Sequence, residues 1–320
     1  MKAVQINSYG GVDVLEVVEN AAKPTLSKEQ VLIEVHAAGI NPVDWKLREG
    51  YLKEWMPITF PATLGGDVSG VVTEIGEGVG DFKVGDEIFG QGGLLNGGSG
   101  SFAQFAAANT GKIVLKPKNL DFDEAGALPL AGISALQALE DHIHLKKDQK
   151  ILIHGGAGGI GTMAIQMAKY LGAYVATTVS ADDIEYVKGL GADEAIDYKQ
   201  SFSSNKSDAF EDKLSNFDAV FDTVGGEITD RSFKVLKKGG IIVSMTGAPS
   251  EELAKKHEVT AIGQGTDVNH ERLNRLAELA DSGKLKVNID KVFSLNEAKE
   301  TFLHLEEGHP RGKVVLRIKD

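Results

Sequence analysis

Three glycines carry the most specific chemistry in this chain. Gly156, Gly158 and Gly161 satisfy G-x-G-x-x-G inside the turn His154-Gly155-Gly156-Ala157-Gly158-Gly159-Ile160-Gly161. In such a turn one glycine permits a sharp bend, one lets backbone approach a pyrophosphate, and one lets helix pack on strand. The spacing alone is common; its context raises it. Ile151, Leu152 and Ile153 precede it as the apolar run of a buried parallel strand. Ala164, Ile165, Met167, Ala168 and Leu171 follow at helical spacing. A helix starting there offers unpaired N–H groups and a positive dipole end to an anion. These residues predict dinucleotide binding, against the plainer reading of a structural turn. A second polar stretch is Asn41-Pro42-Val43-Asp44-Trp45-Lys46. Pro42 disfavours helix in the residue before it and suits a first helical turn. Asn41 is then either a helix cap or a polar group held at a domain edge.

The elements that position these residues follow from periodicity. Ala3-Val4-Gln5-Ile6, Leu15-Glu16-Val17-Val18 and Val31-Leu32-Ile33-Glu34-Val35 read as strands separated by turns. Residues 64–72 and 84–90 each read as a turn into a strand, and residues 101–108 as another strand. Residues 91–100 are rich in glycine and read as a flexible surface loop or a mobile rim over a site. An all-β start implies a separate first domain. Helical character begins over residues 121–130. After the glycine turn, strands at 174–179, 194–197, 217–223 and 241–245 alternate with helices at 184–190 and 229–236. That rhythm predicts a doubly wound parallel sheet. Residues 247–266 match no element. A helix over 269–282, a strand at 289–293, a helix over 296–307 and a strand at 312–318 complete the reading.

The totals exclude several function classes. The 320 residues suffice for two ordinary domains. The net charge of −12 opposes nonspecific binding to nucleic acid or anionic membranes. Absence of cysteine removes disulfides, thiolate nucleophiles and Cys-ligated metals. The start MKAVQINSYGG lacks a basic region followed by an apolar core, and no run approaches the ~20 apolar residues of a membrane span. A soluble cytoplasmic protein is expected.

Taken together, Gly39-Ile40-Asn41-Pro42-Val43-Asp44, Gly65-Gly66-Asp67-Val68-Ser69-Gly70, Val84-Gly85-Asp86, Leu128-Pro129-Leu130-Ala131-Gly132, the glycine turn, Leu190-Gly191-Ala192-Asp193, Phe221-Asp222-Thr223-Val224-Gly225-Gly226 and Gly312-Lys313-Val314-Val315-Leu316 run from end to end of the chain. On them the chain resembles the medium-chain dehydrogenase/reductase superfamily, in its zinc-independent quinone oxidoreductase and enone reductase branch. The resemblance implies an α/β fold: a GroES-like β-barrel catalytic domain over residues 1–122, completed by 266–320, and a Rossmann doubly wound cofactor domain over 123–265. The cofactor is expected in the cleft between them. Zinc is not expected. The metal-dependent relatives need Cys where this chain has Asn41 or Pro42, a His-Glu pair where it has Gly66-Asp67, and four Cys in a structural lobe. Scattered His36, His142, His144 and His154 do not supply a tetrahedral set.

The resemblance also implies the cofactor contacts. Ala157, Gly159 and Ile160 join the three glycines around the diphosphate. The second strand ends without an acidic residue, at Thr177-Thr178-Val179-Ser180, which leaves room for a 2′-phosphate and favours NADPH over NADH. Thr178 and Ser180 are the hydroxyl candidates, and Tyr198 flanks the adenine side. Asp182 and Asp183 would repel a phosphate, with Lys199 or Arg311 as compensation. Asp222, Thr223 and Val224 end a strand near the ribose; Ser244, Met245 and Thr246 end another near the nicotinamide, although Met245 also suits plain core packing. Asn41 faces them. Arg311 and Lys313, with His309, either reach the phosphates or form an exposed basic tail.

For such a fold the cofactor supplies hydride, and the protein places one donor where charge develops on a quinone or enone oxygen. The candidates are the Asn41 amide, Lys46 and the Tyr51 hydroxyl; Lys46 also reads as a solvated surface charge. The implied activity is NADPH-dependent reduction of a quinone or α,β-unsaturated carbonyl. Other readings are an NADPH-binding crystallin-like or RNA-binding module, which the acidic charge opposes, and an enoyl-thioester reductase. The family is commonly a homodimer through the edge strand of its cofactor-domain sheet, placed here near residues 241–246 and beyond.

Overall fold

The computed structural model describes residues 1–199 and 209–319. The chain divides into two compact units. One holds Met1–Ile133, Val268–Gly283 and Val287–Asp320, and the other holds Ser134–Asp267 and Lys284–Lys286.

The first unit is organised by the strand Gln30–Ile40. Its apolar positions Val31, Leu32, Ile33, Val35, Ala37, Ala38 and Ile40 are all buried. Its eleven residues serve several partners, and its register with one of them shifts near Leu32 and Val35. On one side it pairs with Asp67–Ile75; it also pairs with Phe105–Asn109 through residues 30–34 and with Lys313–Arg317 through residues 37–40. The sheet runs Ile289–Ser294, Lys313–Arg317, Gln30–Ile40, Asp67–Ile75, Glu87–Gln91, Ile113–Leu115, traced as an open path. A smaller sheet joins Glu16–Val18, Ala3–Ile6 and Ala62–Thr63.

Two short helices border the polar residues of this unit. Pro42–Arg48 begins directly after Gln30–Ile40. Arg48 ends it with a buried guanidinium that donates to Glu306 Oε1 (2.9 Å), Glu49 Oε1 (2.6 Å) and the Gly10 carbonyl (3.1 Å), over the Phe302 ring. Phe122–Ala127 is closed at its start by a capping box. Glu124 N–H donates to Asp121 Oδ1 at 2.8 Å, and Asp121 N–H donates to Glu124 Oε2 at 3.0 Å. Residues 91–100, expected as a loop or rim, are irregular after Gln91 apart from a short 3-10 turn at Leu94–Asn96. Four are buried, five half-buried and only Gly97 exposed, and they are tied down by Gln30 Nε2 to the Gly97 carbonyl (2.8 Å), Asn109 Nδ2 to the Asn96 carbonyl (2.7 Å) and Gly92 N–H to the Gly66 carbonyl (2.9 Å). Glycine there serves close backbone packing.

The second unit is a parallel sheet in the order Glu194–Asp197, Tyr174–Val179, Lys150–His154, Phe217–Asp222, Leu236–Ser244, Thr260–Gly263. The strand order reverses between Lys150–His154 and Phe217–Asp222, the point where doubly wound sheets take ligands. Residues 247–266 do form elements: a helix Glu251–His257, capped by Ser250 accepting from Leu253 N–H, and the strand Thr260–Gly263. The helix buries no residue fully and the four-residue strand has two exposed and two half-buried residues, so neither leaves a strong apolar period. Of the sheet edge expected near residues 241–246 and beyond, only the later part lies at the edge. Residues 241–244 pair on both sides, and the edge strand is Thr260–Gly263.

Candidate cofactor and active site

In the second unit, strand register places the candidates at one level. His154 lies opposite Thr178 and Asp222; Asp222 lies opposite Ser244, and Ser244 opposite Gly263. The glycine turn, Ser180, Val224, Met245 and Thr246 all follow that row at the carboxyl ends of the strands. The helix Gly159–Tyr170 starts there, and its first bond runs from Thr162 N–H to the Gly158 carbonyl at 3.0 Å. The amides of Gly159, Ile160 and Gly161 therefore have no helical acceptor.

The three glycines are not equivalent. A Cβ on Gly156 would lie 2.1 Å from Thr177 Oγ1, and one on Gly161 would lie 2.2 Å from the Gly155 carbonyl oxygen. Those two are required by the fold itself. A Cβ on Gly158 would meet nothing nearer than 3.5 Å. The protein has no packing need for glycine there; the open backbone, beside half-buried Ala157, Gly159 and Ile160, fits close approach of a diphosphate.

The row is held by His154, which sequence reasoning counted only among scattered histidines. Its buried ring bonds Thr178 Oγ1 through Nδ1 (2.9 Å) and Ser232 Oγ through Nε2 (2.8 Å). Ser232 spends its own proton on the Ile228 carbonyl at 2.6 Å, so Nε2 carries the hydrogen and Nδ1 accepts from Thr178. Burial, ahead of all charges nearby, lowers the His154 pKa to about 4 and keeps the ring neutral. Both hydroxyls expected as phosphate donors are thus already spent: Thr178 on His154, and Ser180 on Asp183 Oδ2 at 2.6 Å. Tyr198 is beside Ser180, its N–H bonded to the Val179 carbonyl at 2.9 Å.

Asp222 builds its own turn. Its carboxylate accepts from Val224 N–H (2.9 Å), Gly225 N–H (3.0 Å) and the Thr229 hydroxyl. This leaves Val224 exposed at 53%. Ser244 Oγ accepts from Thr246 N–H at 3.2 Å, and Met245 Sδ accepts from Gln264 Nε2 at 3.3 Å. Gln264 is a residue that sequence reasoning missed. It is buried after the last strand, donates to the Ser134 carbonyl at 2.9 Å, and leaves its own Oε1 without a partner. No local pattern signals it.

In the first unit, Asn41 takes the cap role expected of it. Its extended backbone caps Pro42–Arg48, and its side-chain amide bonds Asp67 and Lys313. Nδ2 donates to Asp67 Oδ2 at 2.8 Å, and Oδ1 accepts from Lys313 Nζ. The helix end is completed by Asp44, whose Oδ2 accepts from Asn41 N–H at 2.8 Å. Asp67 receives Leu130 N–H (2.9 Å) and Gln91 Nε2 as well, and Lys313 Nζ lies 3.6 Å away. Three donors and a nearby ammonium thus surround its two oxygens. Burial raises the Asp67 pKa against the pull of the Lys313 cation, and burial lowers that of Lys313. Asp44 is pushed up to about 7, chiefly by burial. Lys313 is therefore no part of an exposed basic tail. It is 3% exposed and also donates to the Ile40 carbonyl at 2.8 Å. Arg311 is exposed, its N–H bonded to Asp290 Oδ1 at 3.1 Å.

Lys46 and Tyr51 gather around a different group. Lys46 is exposed, with Nζ 5.6 Å from the Trp45 ring centroid, and Tyr51, 69% exposed, meets the same ring edge-on at 5.6 Å. Neither bonds the Asn41 amide. The chain holds no cysteine, and among the described residues no cluster of three His, Asp or Glu could hold a metal ion.

Known proteins resemble the chain throughout. A family described as "Alcohol dehydrogenase GroES-like domain" matches residues 27–118, and one described as "Zinc-binding dehydrogenase" matches residues 190–316. The chain is 40% identical over 325 residues to 2-methylene-furan-3-one reductase of Solanum lycopersicum, covering 99% of this chain and 79% of that protein. It is 38% identical over 324 residues to an NADPH-dependent alkenal/one oxidoreductase, chloroplastic, of Arabidopsis thaliana, with the same coverage of 99% and 79%. The solved structure of the quinone oxidoreductase from Coxiella burnetii superposes with a TM-score of 0.89 at 36% identity, covering 100% of this chain and 99% of that one.

Proposed function

The chain belongs to the medium-chain dehydrogenase/reductase superfamily, in its zinc-independent quinone oxidoreductase branch, and from there we propose that it is an NADPH-dependent reductase of quinones or α,β-unsaturated carbonyls. The observation that carries this reading is Gly158, whose missing side chain opens the backbone at the start of a twelve-residue helix where no packing demands it. NADPH, when bound, supplies the hydride. The amides of Gly159, Ile160 and Gly161 hold the diphosphate, with Gly156 and Gly161 fixing the bend. Tyr198 and Ser180 flank the adenosine end; Val224, Met245 and Thr246 line the other end of the same strand edge. The Asn41 amide donates to the oxygen on which charge develops, and Lys46 and Tyr51 border the substrate.

NADPH is preferred to NADH in this reading, on the absence of an acidic residue within Tyr174–Val179 and on the name of the alkenal/one oxidoreductase relative. No zinc takes part. A homodimer and a cytoplasmic location belong to the same proposal. Light scattering tests the first and cell fractionation the second, since a relative of similar sequence is named chloroplastic. The central test mixes purified protein and NADPH with a panel of quinones and short enones and follows loss of the reduced cofactor's absorbance. Turnover on any of them supports the reading. No turnover, together with no shift of melting temperature on adding NADPH, refutes it.

A further inference from the structure

Resting on the proposed role of Asn41, we infer that Lys313 and Asp67 are positioning residues that lock the Asn41 amide in one of its two flips and leave a single N–H for the reacting oxygen. An asparagine side chain carries two N–H donors and one acceptor oxygen. Here Oδ1 accepts from the Lys313 ammonium, and one Nδ2–H goes to Asp67 Oδ2 at 2.8 Å. Rotating the amide by half a turn would set its NH2 against an ammonium and its oxygen against a carboxylate. Two attractions would become two repulsions, so the orientation follows from charge. Among the described residues nothing accepts the second Nδ2–H.

The clamp is itself clamped. Asp67 is held by Gln91 Nε2 and Leu130 N–H, and Lys313 by the Ile40 carbonyl at 2.8 Å. Asn41, Asp67 and Lys313 are 4%, 0% and 3% exposed, so these charge-assisted bonds act away from water, where they are strongest. Lys313 has three ammonium hydrogens. Asn41 Oδ1 and the Ile40 carbonyl take two, and the third faces Asp67 at 3.6 Å. None is left for a cofactor phosphate. A buried lysine costs stability, and placing it here secures direction for one amide.

The experiment compares wild type, Asn41→Ala, Lys313→Met, Lys313→Met/Asp67→Asn and Asn41→Ala/Lys313→Met. It reads kcat and KM on whichever quinone or enone the wild type reduces, NADPH affinity by fluorescence titration without substrate, and melting temperature. Lys313→Met is expected to lower kcat about 100-fold with NADPH affinity nearly unchanged. In the Asn41→Ala background the same change is expected to have almost no effect on kcat. Lys313→Met leaves Asp67 buried without a cation. If it does not fold, the neutral pair Lys313→Met/Asp67→Asn carries the test: its melting temperature recovers while kcat stays low. Recovery of kcat along with stability overturns the inference, as does an equal kcat loss from Lys313→Met in both backgrounds. If Asn41→Ala turns over like wild type, this inference falls and the proposed function stands. If the wild type neither binds NADPH nor turns over, both fall.

Discussion

Replacing Asp44 with Asn tests the electrostatics of the buried polar cluster most directly. Asp44 is 2% exposed, and its Oδ2 accepts the N–H of Asn41 at 2.8 Å. Burial is the largest influence on its carboxyl and Asp67 adds to it, while the Asn41 N–H and Lys313 oppose them; the pKa goes from 3.8 to about 7. Between those values the native state binds a proton that the unfolded chain has released. Stability then falls with rising pH, by about 1.4 kcal/mol per unit. Over the interval from 3.8 to about 7 the loss sums to about 4 kcal/mol, complete above the higher value and absent below the lower. Asn keeps a carbonyl oxygen for the Asn41 N–H and carries no charge to bury. Asp44→Asn is therefore expected to match wild type near pH 4 and to be more stable by about 2–4 kcal/mol near pH 8. Urea midpoints of both proteins across that range give the difference curve. A flat curve, or an Asn variant less stable near pH 8, refutes the argument that burial dominates at this carboxyl.

Other expectations follow from the same structure. Gly158→Ala folds with a melting temperature within a few degrees of wild type and loses NADPH affinity by about tenfold or more, whereas Gly161→Ala, with its Cβ 2.2 Å from the Gly155 carbonyl, costs about 2–4 kcal/mol; thermal melts and cofactor titration separate the two. Arg48→Met strands Glu306 and Glu49, each only 27% exposed, and is expected to lower stability by about 3 kcal/mol in urea unfolding. Asp183→Asn frees the Ser180 hydroxyl from a carboxylate 2.6 Å away and is expected to tighten NADPH several-fold while leaving NADH nearly unchanged, read as the ratio of their dissociation constants.

What the sequence disclosed depended on how local the cause was. The glycine turn was legible because strand, bend and helix lie within about twenty residues and each glycine has a stated duty. Which glycine serves the fold and which a ligand was not legible, since Thr177 and the Gly155 carbonyl approach through tertiary packing. Lys313 reads as a surface cation in any local window. Its burial depends on Asp44 and Asp67, more than two hundred positions earlier, and nothing near Gly312 announces them. Thr178 and Ser180 stand out by their hydroxyls, but their partners His154 and Asp183 decide where the protons go. Residues 91–100 read as loose because glycine lacks a side chain, yet the same lack lets carbonyls and amides approach closely enough to bond. The strand Thr260–Gly263 leaves no signal because four residues, two exposed and two half-buried, are too few for a period to show.

The strand Lys313–Arg317 lies inside its sheet, between Gln30–Ile40 and Ile289–Ser294, although Lys313 and Ile40 stand 273 positions apart. A ribosome therefore delivers the amino-terminal strands long before their neighbour exists. Until it arrives, part of Gln30–Ile40 presents bare amides and carbonyls, and Asp67 has no ammonium to answer it. Nascent fragments stopping short of Lys313 should be clients for chaperones or proteases, and expression trials that trim the carboxyl end should yield inclusion bodies rather than a smaller soluble lobe.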